Sequence, residues 1–155
     1  MENKLEDQSS VKAYSEMIYR IAYTVLESKS DAEDILQEVL IKYVTTNKKF
    51  KDEEYKKSWL IRVTLNMSYN LKKSAWKRHT VPLDDEVKFE YKHQSEIFDV
   101  IEKLDKKYKD VVLLYYYEDI PIRNISKILK ISEDNVRKRL SRARKKLEII
   151  LRQDL

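Results

Sequence analysis

A chain of 155 residues in which 42% are apolar and 38% charged has a globular composition and room for one or two small domains. A formal charge of +5 and a pI near 9.1 suit an anionic partner. The absence of glycine and cysteine excludes phosphate-cradling glycine loops, dinucleotide fingerprints, disulfides and thiolate chemistry, and no apolar run reaches the length of a membrane span.

Long segments of three-and-four periodicity without hairpin signals predict an all-α chain. Pro82 and the acidic stretch LDDEVKFEYKHQSE interrupt that periodicity. The expected organisation is therefore two small helical domains, residues 10–80 and 97–152, joined by a short linker over 81–96. Domains of this size bury modest cores and often lean on a larger partner.

In the first half, SDAED is read as a helix start, with Ser30 as cap and Glu33 completing a capping box. Ile35, Leu36, Val39, Leu40 and Tyr43 form its apolar stripe. The opposite side carries Asp34, Gln37, Glu38 and Ile41, an acidic face with one apolar residue among carboxylates. Asp31 and Glu33 suit the helix macrodipole, but Glu38 and Ile41 lie beyond the first turn. That face would repel DNA and suits a basic protein surface.

The next helix runs through KSWLIRVTLNMSYNLKKSAWKRH. Leu60, Val63, Met67 and Leu71 make a core stripe, with Trp59 closing the edge of the core. A second stripe, about 140° round the helix, holds Arg62, Asn66, Tyr69, Lys73 and Trp76, and Asn70, Lys77 and Arg78 follow nearby. Cations for phosphates, amides for base edges and aromatic rings for unpaired bases make this a single-strand-binding combination. Trp76 is open to a second reading, as another edge of the core. His79 and His93, isolated in and near the linker, have no partner at ligand spacing, so neither a metal nor a cofactor is expected.

In the second half, Ile122, Ile125 and Leu129 mark a short amphipathic helix, KIS a tight connection, and Ser132 the cap of the next helix. There Val136, Leu140, Ala143, Leu147 and Ile150 form the buried stripe, while seven Lys or Arg lie between Arg137 and Lys146 with no acid among them. Two helices joined so closely, the second one basic, give the helix-turn-helix pattern, with Ser126 where the helices approach. Lys130 holds the turn position that usually takes glycine, and Pro121 stands where a Ser cap would be expected.

These segments, in this order, resemble the bacterial extracytoplasmic-function sigma factors. DAEDILQEVLIKYV resembles their core-polymerase-binding segment, SWLIRVTLN the segment that reads and melts the minus 10 element, and LDKKYKDVVLLYYYEDIPIRNISKILKISEDNVRKRLSRARKKL the minus 35 domain. The resemblance implies a region 2-like helical bundle and a region 4-like helix-turn-helix domain in a non-enzymatic cytoplasmic factor. Its implied partners are core RNA polymerase, promoter DNA (double-stranded at minus 35, single-stranded at minus 10) and an anti-sigma factor. It assigns Asp34, Gln37, Glu38 and Ile41 to polymerase. Arg62, Asn66, Tyr69, Asn70, Lys73, Trp76, Lys77 and Arg78 go to the minus 10 strand. Ser132, Asn135, Arg137, Lys138, Ser141, Arg142 and Lys145 go to the minus 35 duplex. The acidic linker is open to two readings, occupation of the polymerase's RNA channel or plain solubility. A stand-alone helix-turn-helix repressor would account for the second half and leave the acidic face and aromatic stripe of the first unexplained.

Overall fold

The computed structural model describes residues 8–77 and 96–153, with side chains for 11–74 and 99–153. Every regular element among these is helical: α1 (Gln8–Leu26), α2 (Lys29–Thr45), α3 (Glu53–Lys77), α4 (Glu96–Glu102), α5 (Lys106–Val112), a π-helical turn (Leu113–Tyr117), α6 (Ile122–Leu129) and α7 (Glu133–Gln153). The chain divides into two compact units on either side of positions 87 and 88. The expected linker lies outside the described residues except for Glu96, which begins α4. His79 and His93 lie outside them too.

In the first unit α1, α2 and α3 all pack on one another. Helix α1, which the sequence reading left unassigned, supplies Met17, Ile18, Ile21, Ala22 and Val25 to the core. Their alternating steps of one and three put them on a single helix face. Thr24 and Thr64 are buried beside them, and each hydroxyl donates to a carbonyl four residues back, on Arg20 at 2.8 Å and on Leu60 at 2.6 Å. Helix α3 buries Leu60 and Val63 as expected, with Met67 and Leu71 half-buried. It also buries Ile61, Thr64, Leu65 and Ser68, because α1 and α2 cover two of its faces rather than one.

The start of α2 differs from expectation. The cap is Ser28 rather than Ser30: its backbone is extended at φ −137° and ψ 122°, and its Oγ accepts from Asp31 N at 3.2 Å. ESKSDAED offers two overlapping serine-x-x-acid frames, Ser28 with Asp31 and Ser30 with Glu33. The earlier frame prevails because α1 ends at Leu26 and leaves only Glu27 and Ser28 to turn the chain. Glu27 turns it with a left-handed φ of 54° and donates its N–H to Tyr23 O at 2.7 Å.

An aromatic cluster closes the end of the unit where α2 leads into α3. Trp59 packs edge-on against Phe50 at 5.3 Å between centroids and tilts against Tyr43 at 6.4 Å, closing the core edge as expected. Asp52 caps α3 by accepting from Tyr55 N at 2.7 Å. Tyr14 of α1 donates to Glu53, which also takes the Lys56 ammonium at 2.9 Å, so α1 is tied to the first turn of α3. Partial burial, then the bond to Glu53, raise the Tyr14 phenol well above its ordinary pKa and keep it a donor. Partial burial alone would lower the Lys56 ammonium, but its hydrogen bonds to Glu53 and Tyr43 outweigh that and raise it.

In the second unit α4, α5 and α6 pack on α7. Ile101, Leu104, Tyr108, Val112 and Ala143 form one cluster, with Leu147 and Ile150 packed on it. Val136, Leu140 and Ala143 of α7 are buried and Leu147 and Ile150 half-buried, so the predicted stripe is the observed one. In α6 full burial falls on Asn124, Ile125 and Ile128, with Ile122 and Leu129 half-buried on the flanks. Glu118 N donates to Leu113 O at 3.1 Å, five residues back, and this π turn leaves Tyr115, Tyr116 and Tyr117 exposed in a row.

The turn between α6 and α7 has the expected form. Lys130 is left-handed at φ 57° and ψ 45°. Ser126 braces the turn twice: its carbonyl accepts from Ile131 N at 3.1 Å, and its hydroxyl donates to Ile131 O at 2.5 Å. Pro121 precedes α6 without a side-chain cap. No helix among the described residues is long and apolar enough to cross a membrane.

Candidate protein and nucleic-acid interfaces

On α2, burial of Ala32, Ile35, Val39 and Tyr43 turns the opposite face outward. Asp34, Gln37, Glu38 and Ile41 are all exposed there, and Ile41 is 60% accessible. Val44 lies one turn further on and is exposed as well, a position the sequence reading missed. Ile41 and Val44 at i, i+3 form an apolar strip beside the carboxylates, a combination suited to a protein surface carrying its own cations.

The inner edge of this face borders an open groove between α2 and α3. Asp31, Asp34, Ile35 and Glu38 line one side, and Met67, Asn70, Leu71 and Ser74 the other. Asn70 lines this groove with the carboxylates, about 80° round α3 from Arg62 and about 40° from Asn66, on the flank of the stripe. Of that stripe, Asn66 and Lys73 are exposed while Arg62 and Tyr69 are half-buried. Trp76 and Lys77 fall within α3 but their side chains are outside the described set, and Arg78 lies beyond the described residues.

On α7 the seven cations separate into different environments. Arg144 donates from Nη1 to the Tyr116 hydroxyl at 2.9 Å, and Lys146 lies over the Tyr108 ring at 5.3 Å, so both turn back toward the domain body. Arg139 is half-buried. Arg137 is paired through Nη1 with Asp134 Oδ1 at 3.1 Å. Lys138, Arg142 and Lys145 are exposed with no side-chain partner among the described residues. Ser132 caps the helix by accepting from Asn135 N at 3.1 Å, Asn135 is exposed and Ser141 half-buried. The tyrosine anchor for Arg144 was not legible in advance, because it depends on the π turn that moves Tyr116 outward.

Three chemistries thus stand apart: an acidic and apolar face on α2, a mixed cationic and amide stripe on α3, and a cationic face on α7. No group of three or more His, Asp or Glu among the described residues is placed to hold a metal ion.

The family described as Sigma-70 region 2 matches residues 10–78, and Sigma-70, region 4 matches residues 94–147. Among curated relatives, RNA polymerase sigma factor SigV of Bacillus subtilis (strain 168) is 24% identical over 86% of this chain and 83% of its own length. ECF RNA polymerase sigma factor SigM of the same organism is 28% identical over 88% of this chain and 90% of its own. Among solved structures, the sigma factor RpoE of Bartonella quintana, in complex with the anti-sigma factor NepR, superposes with a TM-score of 0.72 at 16% identity. That match covers 96% of this chain and 98% of RpoE. CnrH, solved with the cytosolic domain of CnrY, gives the same TM-score at 20% identity, covering 96% and 88%. The two family matches, in the order region 2 then region 4, together span roughly four-fifths of the sequence. The chain therefore belongs to the sigma-70 family, as a non-enzymatic, promoter-directing sigma factor of the extracytoplasmic-function group.

Proposed function

We propose that the three exposed chemistries divide the work of promoter-specific initiation, with residues 10–80 acting as the region 2 domain, 97–152 as the region 4 domain and 81–96 as their linker. The α2 face of Asp34, Gln37, Glu38 and Ile41, extended by Val44, docks on core RNA polymerase. Its exposed aliphatics supply buried area and its carboxylates select a basic surface. Polymerase carries the catalysis, and this chain lends binding energy that places it.

Helix α3 meets the minus 10 strand through Asn66 and Lys73, both exposed, and the half-buried Arg62 and Tyr69, and the expected roles of Trp76, Lys77 and Arg78 belong to the same strand. An amide for base edges, cations for phosphates and rings for stacking favour a strand already opened over a duplex. Asn70 borders the acidic groove and is assigned to the protein side.

Helix α7 enters the minus 35 major groove. Asn135, Arg137 and Lys138 near its capped start approach base edges, Lys145 meets the backbone, Arg142 can serve in either role, and Ser132 and Ser141 add hydroxyls. Arg144 and Lys146 fix the helix to its domain. An anti-sigma factor, the kind of partner carried by RpoE of Bartonella quintana in its solved complex, would hold this chain inactive in the cytoplasm.

The observation that carries the proposal is the opposite charge of two exposed helix faces, acidic and apolar on α2, cationic on α7. Run-off transcription by purified core polymerase on genomic promoter fragments, with and without this protein, tests it. Discrete transcripts that require the protein are expected. Unchanged transcription in its presence would leave only a DNA-binding or polymerase-binding module.

A further inference from the structure

At about 100° per residue, Asp134, Lys138, Ser141 and Lys145 follow one another along the outward line of α7. An acid thus heads a line that is cationic or neutral as far as Lys145, beyond which Glu148 pairs with Arg152 at 2.6 Å. The helix macrodipole accounts for an acid in the first turn, and Glu133 satisfies it equally well. It does not account for direction. The Asp134 carboxylate accepts from Arg137 Nη1 at 3.1 Å, reaching down the helix toward the residue assigned to base reading.

In the free protein this pair contributes little, since Arg137 is 57% and Asp134 84% exposed and such pairs are weak in water. Docking changes that. Water leaves the groove, the local dielectric falls and the attraction strengthens. One carboxylate oxygen occupies one of five guanidinium N–H groups, which leaves the rest of the fork to donate to the O6 and N7 of a guanine. A guanidinium already held in place loses less freedom when it binds. The carboxylate also repels any phosphate that would draw Arg137 aside or settle on the helix N-terminus.

We infer that Asp134 is a positioning residue for promoter reading: it holds Arg137 on a guanine of the minus 35 duplex and keeps it off the phosphates. The inference rests on the proposed role of α7. It has an unusual sign, because the acid lowers general affinity for DNA while raising discrimination between bases.

The test is holoenzyme binding to duplexes carrying the minus 35 element of a promoter active in the run-off assay, each base pair varied in turn, alongside a scrambled duplex. Asp134→Ala should tighten binding to the scrambled duplex by about threefold or more, from the lost negative charge. It should also cut the guanine preference at one base pair by about tenfold. Arg137→Ala should abolish preference at that same base pair, and the double variant should match Arg137→Ala there. Unchanged helicity and Tm for Asp134→Ala separate this from a folding effect. Full guanine preference in Asp134→Ala beside its loss in Arg137→Ala would overturn the inference and leave the reading of α7 intact. A change at a different base pair would overturn it in favour of direct contact by the carboxylate. If Arg137→Ala alters no base preference, the role of Arg137 itself fails and the inference fails with it.

Discussion

Helices α2 and α7 begin alike and diverge after one turn. Each is capped by a serine hydroxyl, Ser28 or Ser132, that accepts a backbone N–H three residues on, and each has an acid in its first turn. Beyond that turn α2 exposes Glu38, Ile41 and Val44, whereas α7 exposes Lys138, Arg142 and Lys145. Helix initiation uses the same chemistry wherever it occurs, so the first turn says little about function. The second and third turns, where neither cap nor dipole asks for a charge, are where partner choice is written. The exposed aliphatics sharpen the contrast, because a polyanion gains nothing from Ile41, while a protein surface gains buried area.

The largest break in this comparison comes from reversing the acidic face. Glu38→Lys should weaken binding to core polymerase roughly 10- to 100-fold with unchanged circular dichroism, since it places a cation against a basic partner at an exposed position. Pull-down of core enzyme at wild-type strength would remove α2 from the interface.

On the cationic side two substitutions should separate by kind. Arg137→Ala should cost about 1–3 kcal/mol, mainly on the preferred minus 35 sequence, while Lys145→Ala should weaken all promoters similarly and reduce the salt slope by about 1. A binding series across salt on intact and scrambled elements distinguishes them. Equal loss on both templates for Arg137→Ala would make it one more phosphate contact. The same series checks the sorting of the seven cations: Arg144→Ala should leave the salt slope nearly unchanged, because Tyr116 already holds that guanidinium.

A third and smaller effect concerns strand opening, which is proposed for α3 rather than for either charged face. Asn66→Ala should reduce permanganate reactivity at the minus 10 region while duplex binding stays near wild type, given contacts of about 1–3 kcal/mol per base. Normal reactivity would take Asn66 out of the strand's path.

Smallest is the glycine-free turn before α7. Lys130→Gly should raise stability by about 0.5–1 kcal/mol, because the native φ of 57° suits glycine better than a residue with a Cβ. An upward shift in Tm with unchanged DNA binding is the expected result, and a fall would mean that the lysine stem contributes packing there.

What the sequence revealed and what it hid follows from how far each feature reaches along the chain. The stripe of α7 was legible because Val136, Leu140 and Ala143 repeat at helical spacing on a helix covered along one side only. The left-handed Lys130 was legible because a turn this short leaves a single position for it. The cap of α2 was misplaced by two residues because Ser28 and Ser30 both satisfy the local rule, and only the end of α1 decides between them. The full width of the α3 core was missed because residues flanked by helices on two sides lose the one-face pattern, whereas α1 keeps a one-face spacing in Met17, Ile18, Ile21, Ala22 and Val25 and was left unassigned all the same. The anchoring of Arg144 and the place of Asn70 on the acidic groove depend on side chains 28 residues distant in the first case and on a neighbouring helix in the second. No local period encodes either.

The central claim is that the two faces have different partners, and a crossed charge reversal tests it most directly. Glu38→Lys and Lys145→Glu, each in the full chain, would be measured for binding to core polymerase and, once assembled with saturating core, to promoter duplex. The account predicts that Glu38→Lys loses polymerase and, where holoenzyme forms, keeps its minus 35 contacts, while Lys145→Glu keeps polymerase and loses promoter affinity on every template. Equal losses of both partners in both variants would contradict it.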